Sequence, residues 1–328
     1  MLKTGLIGVG HLGRIHLQQL SEIPDLQVVG IYDLDPGRSA DVSRATGVRS
    51  FDDPIQLIEA ADMVDVVSPT PTHFGFATEC LKRGKHVFIE KPLAATVEEA
   101  DQIVRLTEET GLTVQVGHVE RFNPAFVAAR SFLDKPMFIE AHRLAQFNIR
   151  GTDVSVIFDL MIHDLDIILS LNPEPVTGIQ ASGVSVISDT PDIANARIEF
   201  ANGCVANLTA SRISIKKMRK VRFFQKNAYI SVDFLKKKAE VIRLKELSGE
   251  PDPLAMVVDL GGIKGKKIIY FDNPEVHDTN AIRDELEQFT KAIRNSHKPV
   301  VTAHDGSRAV RVAHEISEKI NNLHPVTD

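Results

Sequence analysis

Gly8-Val9-Gly10-His11-Leu12-Gly13, set between the apolar run that begins at Lys3 and the amphipathic stretch from His11 to Ser21, is the segment that decides the fold. In a G-x-G-x-x-G at a strand-to-helix junction, the first glycine makes the tight turn, the second lets backbone approach a pyrophosphate, and the third lets the helix pack closely. The next apolar run, Leu26 to Tyr32, ends at Asp33, 20 residues after Gly13, where a carboxylate suits a ribose 2′-hydroxyl. That acid repels a 2′-phosphate, so NAD is expected over NADP, with Arg38 keeping NADP open. The cofactor contacts expected from this motif are Gly8, Gly10, His11, Leu12, Gly13, Asp33 and Arg38.

Outward from the motif, further apolar runs stand at Met63 to Ser68, His86 to Ile89 and Leu112 to Val116, with a weaker one at Val48 to Phe51. Continuous runs of this kind mark strands covered on both faces. Helical spacing fills the gaps at Ile55 to Ala60, Thr72 to Arg83 and Thr96 to Thr110, the last with Glu98 and Glu99 in its first turn. The alternation predicts a doubly wound α/β Rossmann domain with a parallel sheet over residues 1–118.

After Gly117 the period changes to alternating, β-branched stretches: Met137 to Leu144, Ile179 to Val186, Ala194 to Phe200, Cys204 to Ser211, Val221 to Gln225, Tyr229 to Phe234, Glu240 to Lys245 and Lys267 to Phe271. They predict a second domain, 119–328, of α+β class: a large, mostly antiparallel open sheet with helices on one face and the C-terminal helices packing back. Residues 248 to 265 read as a loop insertion. Helices are expected at Pro124 to Leu133, Ser155 to Leu171, Asn280 to Arg294 and Asp305 to Asn322.

Composition narrows the function classes. The chain has 328 residues, 43% apolar and 25% charged, which is globular and excludes collagen-like, coiled-coil and disordered classes. No apolar run reaches the ~18–20 residues of a membrane helix, and the N-terminus reads directly into a strand, so the expectation is a cytoplasmic protein with no membrane partner. Cys80 and Cys204 have no C-x-x-C neighbour and fit two buried thiols, with no metal. The net charge of −6 gives no reason to expect nucleic acid, yet it is uneven: 12 Lys/Arg against 3 acids between Arg212 and Glu246 make a local +9, leaving −15 elsewhere.

Further residues carry a resemblance. Thr70-Pro71-Thr72-His73, then Gly84-Lys85-His86-Val87-Phe88-Ile89-Glu90-Lys91-Pro92-Leu93, then Gly117-His118 with Arg121-Phe122, together with Asp159-Leu160-Met161-Ile162-His163, resemble the Gfo/Idh/MocA family of pyridine-nucleotide oxidoreductases. The resemblance implies a dehydrogenase that oxidises a secondary hydroxyl of a sugar or cyclitol, with Lys91, Asp159 and His163 as catalytic residues. It adds Pro69, Thr70, His73, Glu90 and Lys91 to the cofactor contacts and names Arg121, Phe122, Arg150, Asp159 and His163 as substrate contacts. Taken alone, a Glu-Lys-Pro at a strand end is better read as a solvated turn, and a His-Asp pair as a satisfied core contact.

Arg150-Gly151-Thr152-Asp153 followed by Phe158 to Asp166 further resembles members that act on C3 of UDP-N-acetylglucosamine, a step toward amino-sugar lipid A precursors. Where many members carry glycines, this chain has Val154, Ser155, Val156 and Met161. For a nucleotide sugar, Arg143, Arg150, Lys216, Lys217 and Arg219 are candidates to reach the diphosphate, although for most of them a solvated or subunit-facing, lysine-rich hairpin is the better reading. The alternatives are another sugar or inositol dehydrogenase, or a non-catalytic NAD-sensing regulator. The family's sheet domain also implies a homodimer or homotetramer formed through the C-terminal sheet.

Overall fold

The apolar runs and amphipathic stretches of the first third fold in the order β1 (Leu2–Ile7), α1 (His11–Glu22), β2 (Leu26–Tyr32), α2 (Pro36–Thr46), α3 (Pro54–Ala60), β3 (Met63–Val66), α4 (His73–Lys82), β4 (His86–Glu90), α5 (Val97–Thr110) and β5 (Val114–Gly117). All pairings are parallel, in the order β2-β1-β3-β4-β5. The structure, a computed structural model, describes residues 1–148, 154–247, 256–259, 261–262 and 265–323. The chain turns back between β2 and β3, so β1 is flanked on both sides and the sheet has its switch point there. Leu57, Ile58, Ala77, Leu81, Ala100 and Ile103 of α3, α4 and α5 cover one face, and Leu17 and Leu20 of α1 help cover the other.

The second unit begins with α6 (Pro124–Ala129) and β6 (Phe138–Leu144), then a π-helical turn at Ile157–Met161 leading into α7 (Ile162–Leu171). It continues through β7 (Val176–Val184), β8 (Ile193–Phe200), β9 (Val205–Ser211), β10 (Met218–Gln225), β11 (Ala228–Asp233), β12 (Lys238–Glu246), β13 (Met256–Asp259) and β14 (Lys266–Asp272). The nine strands run β13-β14-β12-β11-β10-β6-β9-β8-β7, antiparallel except where β6 pairs with β9. A parallel pair needs a crossover, and the chain between β6 and β9 carries α7. Along β6 burial alternates residue by residue, with Ile139, Ala141 and Arg143 facing inward.

Two helices close the chain, α8 (Ala281–Arg294) and α9 (Ala303–Leu323). The compact units are Met1–Phe122 with Asn280–His314, and Asn123–Thr279 with Glu315–Asp328. The first boundary thus falls at Phe122 rather than at 118, and α8 with the start of α9 joins the first unit. The reason is packing: Leu286 and Phe289 of α8 share a core with Leu20, Met63 and Phe88, and Val116 donates its N–H to the Val301 carbonyl.

Three other expectations are corrected. Val48 to Phe51 supplies only an isolated bridge between Ile31 and Ser50 rather than a sixth strand. Met256–Asp259, inside the stretch expected to be loop, is a strand paired with β14, while 248–255, 260 and 263–264 lie outside the described residues. Helix α2 was unanticipated; Asp35 caps it by accepting from the N–H groups of Gly37 and Arg38. Both cysteines are buried free thiols, and burial pushes Cys80 up to about 12. Among the described residues no helix is long and apolar enough to cross a membrane.

Candidate active site

A cavity of about 540 Å³ opens at the C-terminal ends of β1, β2 and β3, lined by Gly8, Gly10, His11, Leu12, Gly13, Asp33, Arg38 and Pro69 of the expected set. The glycines are fixed by sterics. Gly8 has φ +92°, and a Cβ there would lie 2.7 Å from the Val67 backbone; a Cβ on Gly13 would lie 1.9 Å from the Gly8 carbonyl oxygen. At Gly10 nothing stands within 4 Å of such a Cβ, leaving backbone open to the cavity. Helix α1 starts there with no side-chain cap and no acid in its first turn, so its unsatisfied N–H groups and positive dipole end suit a pyrophosphate. These features fit NAD. Sequence reasoning missed Tyr32, Leu34, Val67, Ser68 and Phe76, apolar or small walls that no motif encodes.

Asp33 is held before any ligand arrives. Its Oδ2 accepts from Val9 N–H at 2.8 Å, and its Oδ1 accepts from Asp35 N–H at 2.9 Å and from Arg38 Nη1 at 3.1 Å. The ion pair turns Arg38 toward the Asp33 carboxylate.

The Glu90-Lys91-Pro92 turn follows β4 with a cis bond before Pro92. His73 is buried behind it, Nδ1 2.9 Å from the Pro92 carbonyl oxygen and Nε2 2.8 Å from that of Ser68. Burial, outweighing those backbone contacts, lowers its pKa. A neutral ring donates to one carbonyl at a time, so the structure gives His73 the place of a pin between the β3 and β4 loops. Thr70 opens a short 3-10 turn, Thr70–Thr72, and is not among the cavity-lining residues. Arg121 and Phe122 are both buried in the first unit, Arg121 facing Asp305 at 3.4 Å and Phe122 in the core. That ion pair and hydrogen bonds from Thr302 hold the Asp305 carboxyl below its usual range against the cost of burial.

In the second unit, Asp159 sits in the π-helical turn and His163 in the first turn of α7, both half-buried, while Asp166 is fully buried. The α-helix expected from Ser155 to Leu171 is therefore corrected: it begins as a π-helical turn at Ile157–Met161. A π turn re-registers the backbone bonds, Ile162 N–H reaching back to Ile157, and such turns concentrate at functional sites. Asp159 and Leu160 line a second cavity, about 350 Å³, together with Arg212, Lys217, Arg219, Gln146 and Asn148. Arg143 is removed from the diphosphate candidates: it is 2% exposed and grips Asp164 with Nε at 3.0 Å and Nη2 at 2.8 Å. Arg150 lies outside the described residues.

Residues 2–118 match the model "Oxidoreductase family, NAD-binding Rossmann fold", and residues 128–230 match the GFO/IDH/MocA C-terminal domain. The chain belongs to the Gfo/Idh/MocA oxidoreductase family. It is 35% identical over 300 residues to a UDP-N-acetylglucosamine 3-dehydrogenase of Acidithiobacillus ferrooxidans, covering 91% of this chain and 90% of that one. The solved structure of that dehydrogenase superposes with a TM-score of 0.87 over 98% of each chain at 33% identity. The scyllo-inositol 2-dehydrogenase (NAD(+)) of Bacillus subtilis is 27% identical, with 99% of this chain and 96% of that one covered. As a member of this family the protein is an oxidoreductase with an NAD-binding Rossmann domain, and its relatives include both sugar-nucleotide and inositol dehydrogenases.

Proposed function

We propose that this Gfo/Idh/MocA enzyme oxidises the C3 hydroxyl of UDP-N-acetylglucosamine or a closely similar nucleotide sugar. The observation that carries the choice of substrate is the second cavity, where Asp159 stands among Lys217, Arg219 and Arg212. Arg212 bonds to the Val154 carbonyl, and the exposed Lys217 and Arg219 suit a diphosphate through charge-assisted bonds. An uncharged cyclitol has no use for two such cations. The 35% identity to a UDP-N-acetylglucosamine 3-dehydrogenase supports the same reading.

NAD, when bound, supplies the hydride acceptor. His163 accepts the hydroxyl proton through a ring nitrogen, as an imidazole base can. Asp159 orients that ring. Lys91, which follows the buried Glu90 at the end of β4, is the group proposed to stabilise the negative charge that develops on the oxygen. The same sheet domain is proposed to pair subunits through its open face, where Glu140, His142, Gln180, Asn195 and Arg197 form a polar surface.

Purified protein offered NAD with UDP-N-acetylglucosamine, myo-inositol and glucose in turn, with NADH absorbance followed, tests the substrate. Turnover confined to the nucleotide sugar is expected; turnover with myo-inositol alone overturns the reading. Lys91→Ala should lower kcat by at least ~100-fold, the scale of a lost electrostatic stabiliser, a far larger effect than any on NADH binding. Wild-type kcat in that variant would remove Lys91 from the reaction.

A further inference from the structure

We infer that Glu285 of α8 is a positioning residue for this reaction: a buried carboxylic acid that, together with His16, fixes Glu90 beside Lys91. The inference rests on the role proposed for Lys91.

Strand register puts Asp65 of β3, Phe88 and Glu90 of β4 and Gln115 of β5 on one face of the parallel sheet. That face is otherwise apolar, with Met63, Phe88, Leu286 and Phe289 packed together. Four ionisable side chains nonetheless converge there. His16 of α1 lies between two carboxylates, its Nδ1 2.9 Å from Asp65 Oδ2 and its Nε2 3.3 Å from Glu90 Oε1. One ligating atom each of His16, Glu90 and Glu285 falls within 4.8 Å of the other two. The Glu90 carboxylate is seated by Gly117, where a Cβ would come within 2.6 Å of Oε1, and its Oε2 accepts from the Lys91 N–H at 3.2 Å. Gln115 Nε2 donates to the Glu285 backbone carbonyl at 2.8 Å, tying this turn of α8 to β5.

Glu285 is fully buried, and among the described residues neither carboxylate oxygen has a hydrogen-bond partner. A buried charge with no partner is expensive, and the group takes up a proton instead. Burial, then the adjacent Glu90 charge, pushes Glu285 well above the ordinary carboxyl range. For His16, burial opposes the imidazolium, but Asp65 and Glu90 outweigh it and raise its pKa well above the ordinary value. Asp65 is raised by burial, with His16 opposing. Glu90 is lowered because His16 and Lys91 outweigh its burial.

The charged groups facing Glu285 are therefore His16 from α1, Asp65 from β3 and Glu90 from β4, with Lys91 next in the chain. With Glu285 neutral, two cations balance two anions. Ionising Glu285 adds an uncompensated charge against Glu90 and displaces the carboxylate on which the Lys91 backbone rests.

Three variants and three readouts test this on the NAD-bound protein. Infrared spectra near neutral pH should show a protonated-carboxylic-acid carbonyl band, shifted in D2O, that Glu285→Gln removes. With UDP-N-acetylglucosamine, Glu285→Ala should lower kcat by about 10- to 100-fold, the scale of a slightly misplaced reacting group, with KM for NAD within twofold. Glu285→Gln should restore most of that kcat and carry it to higher pH than wild type, and His16→Gln should fall with the alanine variant. Acetic anhydride labelling of Lys91, read by mass spectrometry, should change in Glu285→Ala but not in Glu285→Gln. A missing acid band, a pH profile identical in all variants, or stoichiometric divalent metal in the purified enzyme would overturn the inference. Absence of wild-type turnover would instead sink the substrate reading, because the infrared and labelling results stand without substrate.

Discussion

For a single titratable residue, what meets it in the interior decides its role more than its type does. Asp192 and Glu285 are both fully buried carboxyls. Asp192 Oδ2 accepts from the N–H groups of Val186, Ile187 and Ser188 at 2.8, 2.6 and 3.0 Å, and its Oδ1 accepts from Ser188 Oγ at 2.5 Å. Burial opposes ionisation there, but those donors outweigh it and hold the carboxyl far below its ordinary range. A depressed folded-state pKa contributes stability that is complete above the unfolded value, near pH 4, and is lost as the folded carboxyl itself protonates. Asp192→Asn should therefore cost about 1–3 kcal/mol at neutral pH, and the gap to wild type should narrow steadily below about pH 4. Urea unfolding across that range measures it, and a gap independent of pH would show that Asp192 is not charged in the folded state. None of this was legible in the sequence, because the donors are backbone groups of a loop. Asp33 was legible, since a fixed distance from a glycine motif announces it, but its grip on Val9 and Arg38 was not.

Elements were read best where local chemistry and long-range packing agree. Helix α5 was visible from Thr96 and the acids after it, and the structure completes the reciprocal cap: Glu99 N–H donates to Thr96 Oγ1 at 3.2 Å, and Thr96 N–H donates to Glu99 Oε2 at 3.3 Å. Thr96→Ala should cost about 1 kcal/mol without changing kcat; a thermal melt and one assay suffice, and an unchanged melt would show that packing alone holds the helix. Helix α2 was missed because its small polar residues give almost no apolar stripe; only Asp35 before Pro36 marked its start. Strand β13 was missed because four residues at a sheet edge, among glycines and prolines, carry too little pattern. The π-helical turn at Ile157–Met161 escapes any apolar periodicity, since it differs from an α turn only in which carbonyl each N–H meets. That turn holds Asp159, so the part of the site hardest to read is also the part where local geometry departs from the regular.

At the scale of the molecule, the net charge of −6 conceals the +9 between Arg212 and Glu246, and the structure divides that segment by use. Arg222 pairs with Glu140 at 3.0 Å, Arg243 with Asp272 at 2.6 Å, and Arg212 is buried near Asp192. Those cations serve the sheet. Lys217 and Arg219 line the cavity that holds Asp159, and an anionic substrate would meet them in partial contact with solvent, where salt screens attraction over about 10 Å at 0.1 M. KM for UDP-N-acetylglucosamine should therefore rise with ionic strength, while KM for NAD, if its pyrophosphate is met by backbone N–H groups at the start of α1, should move much less. The double variant Lys217→Gln, Arg219→Gln should raise the nucleotide-sugar KM by about 10- to 100-fold, as loss of two charge-assisted contacts implies, and should flatten its salt dependence without lowering NADH affinity. If the wild-type KM is already flat in salt, the substrate brings no phosphate to this cavity, and the charge excess belongs to the sheet and not to recognition.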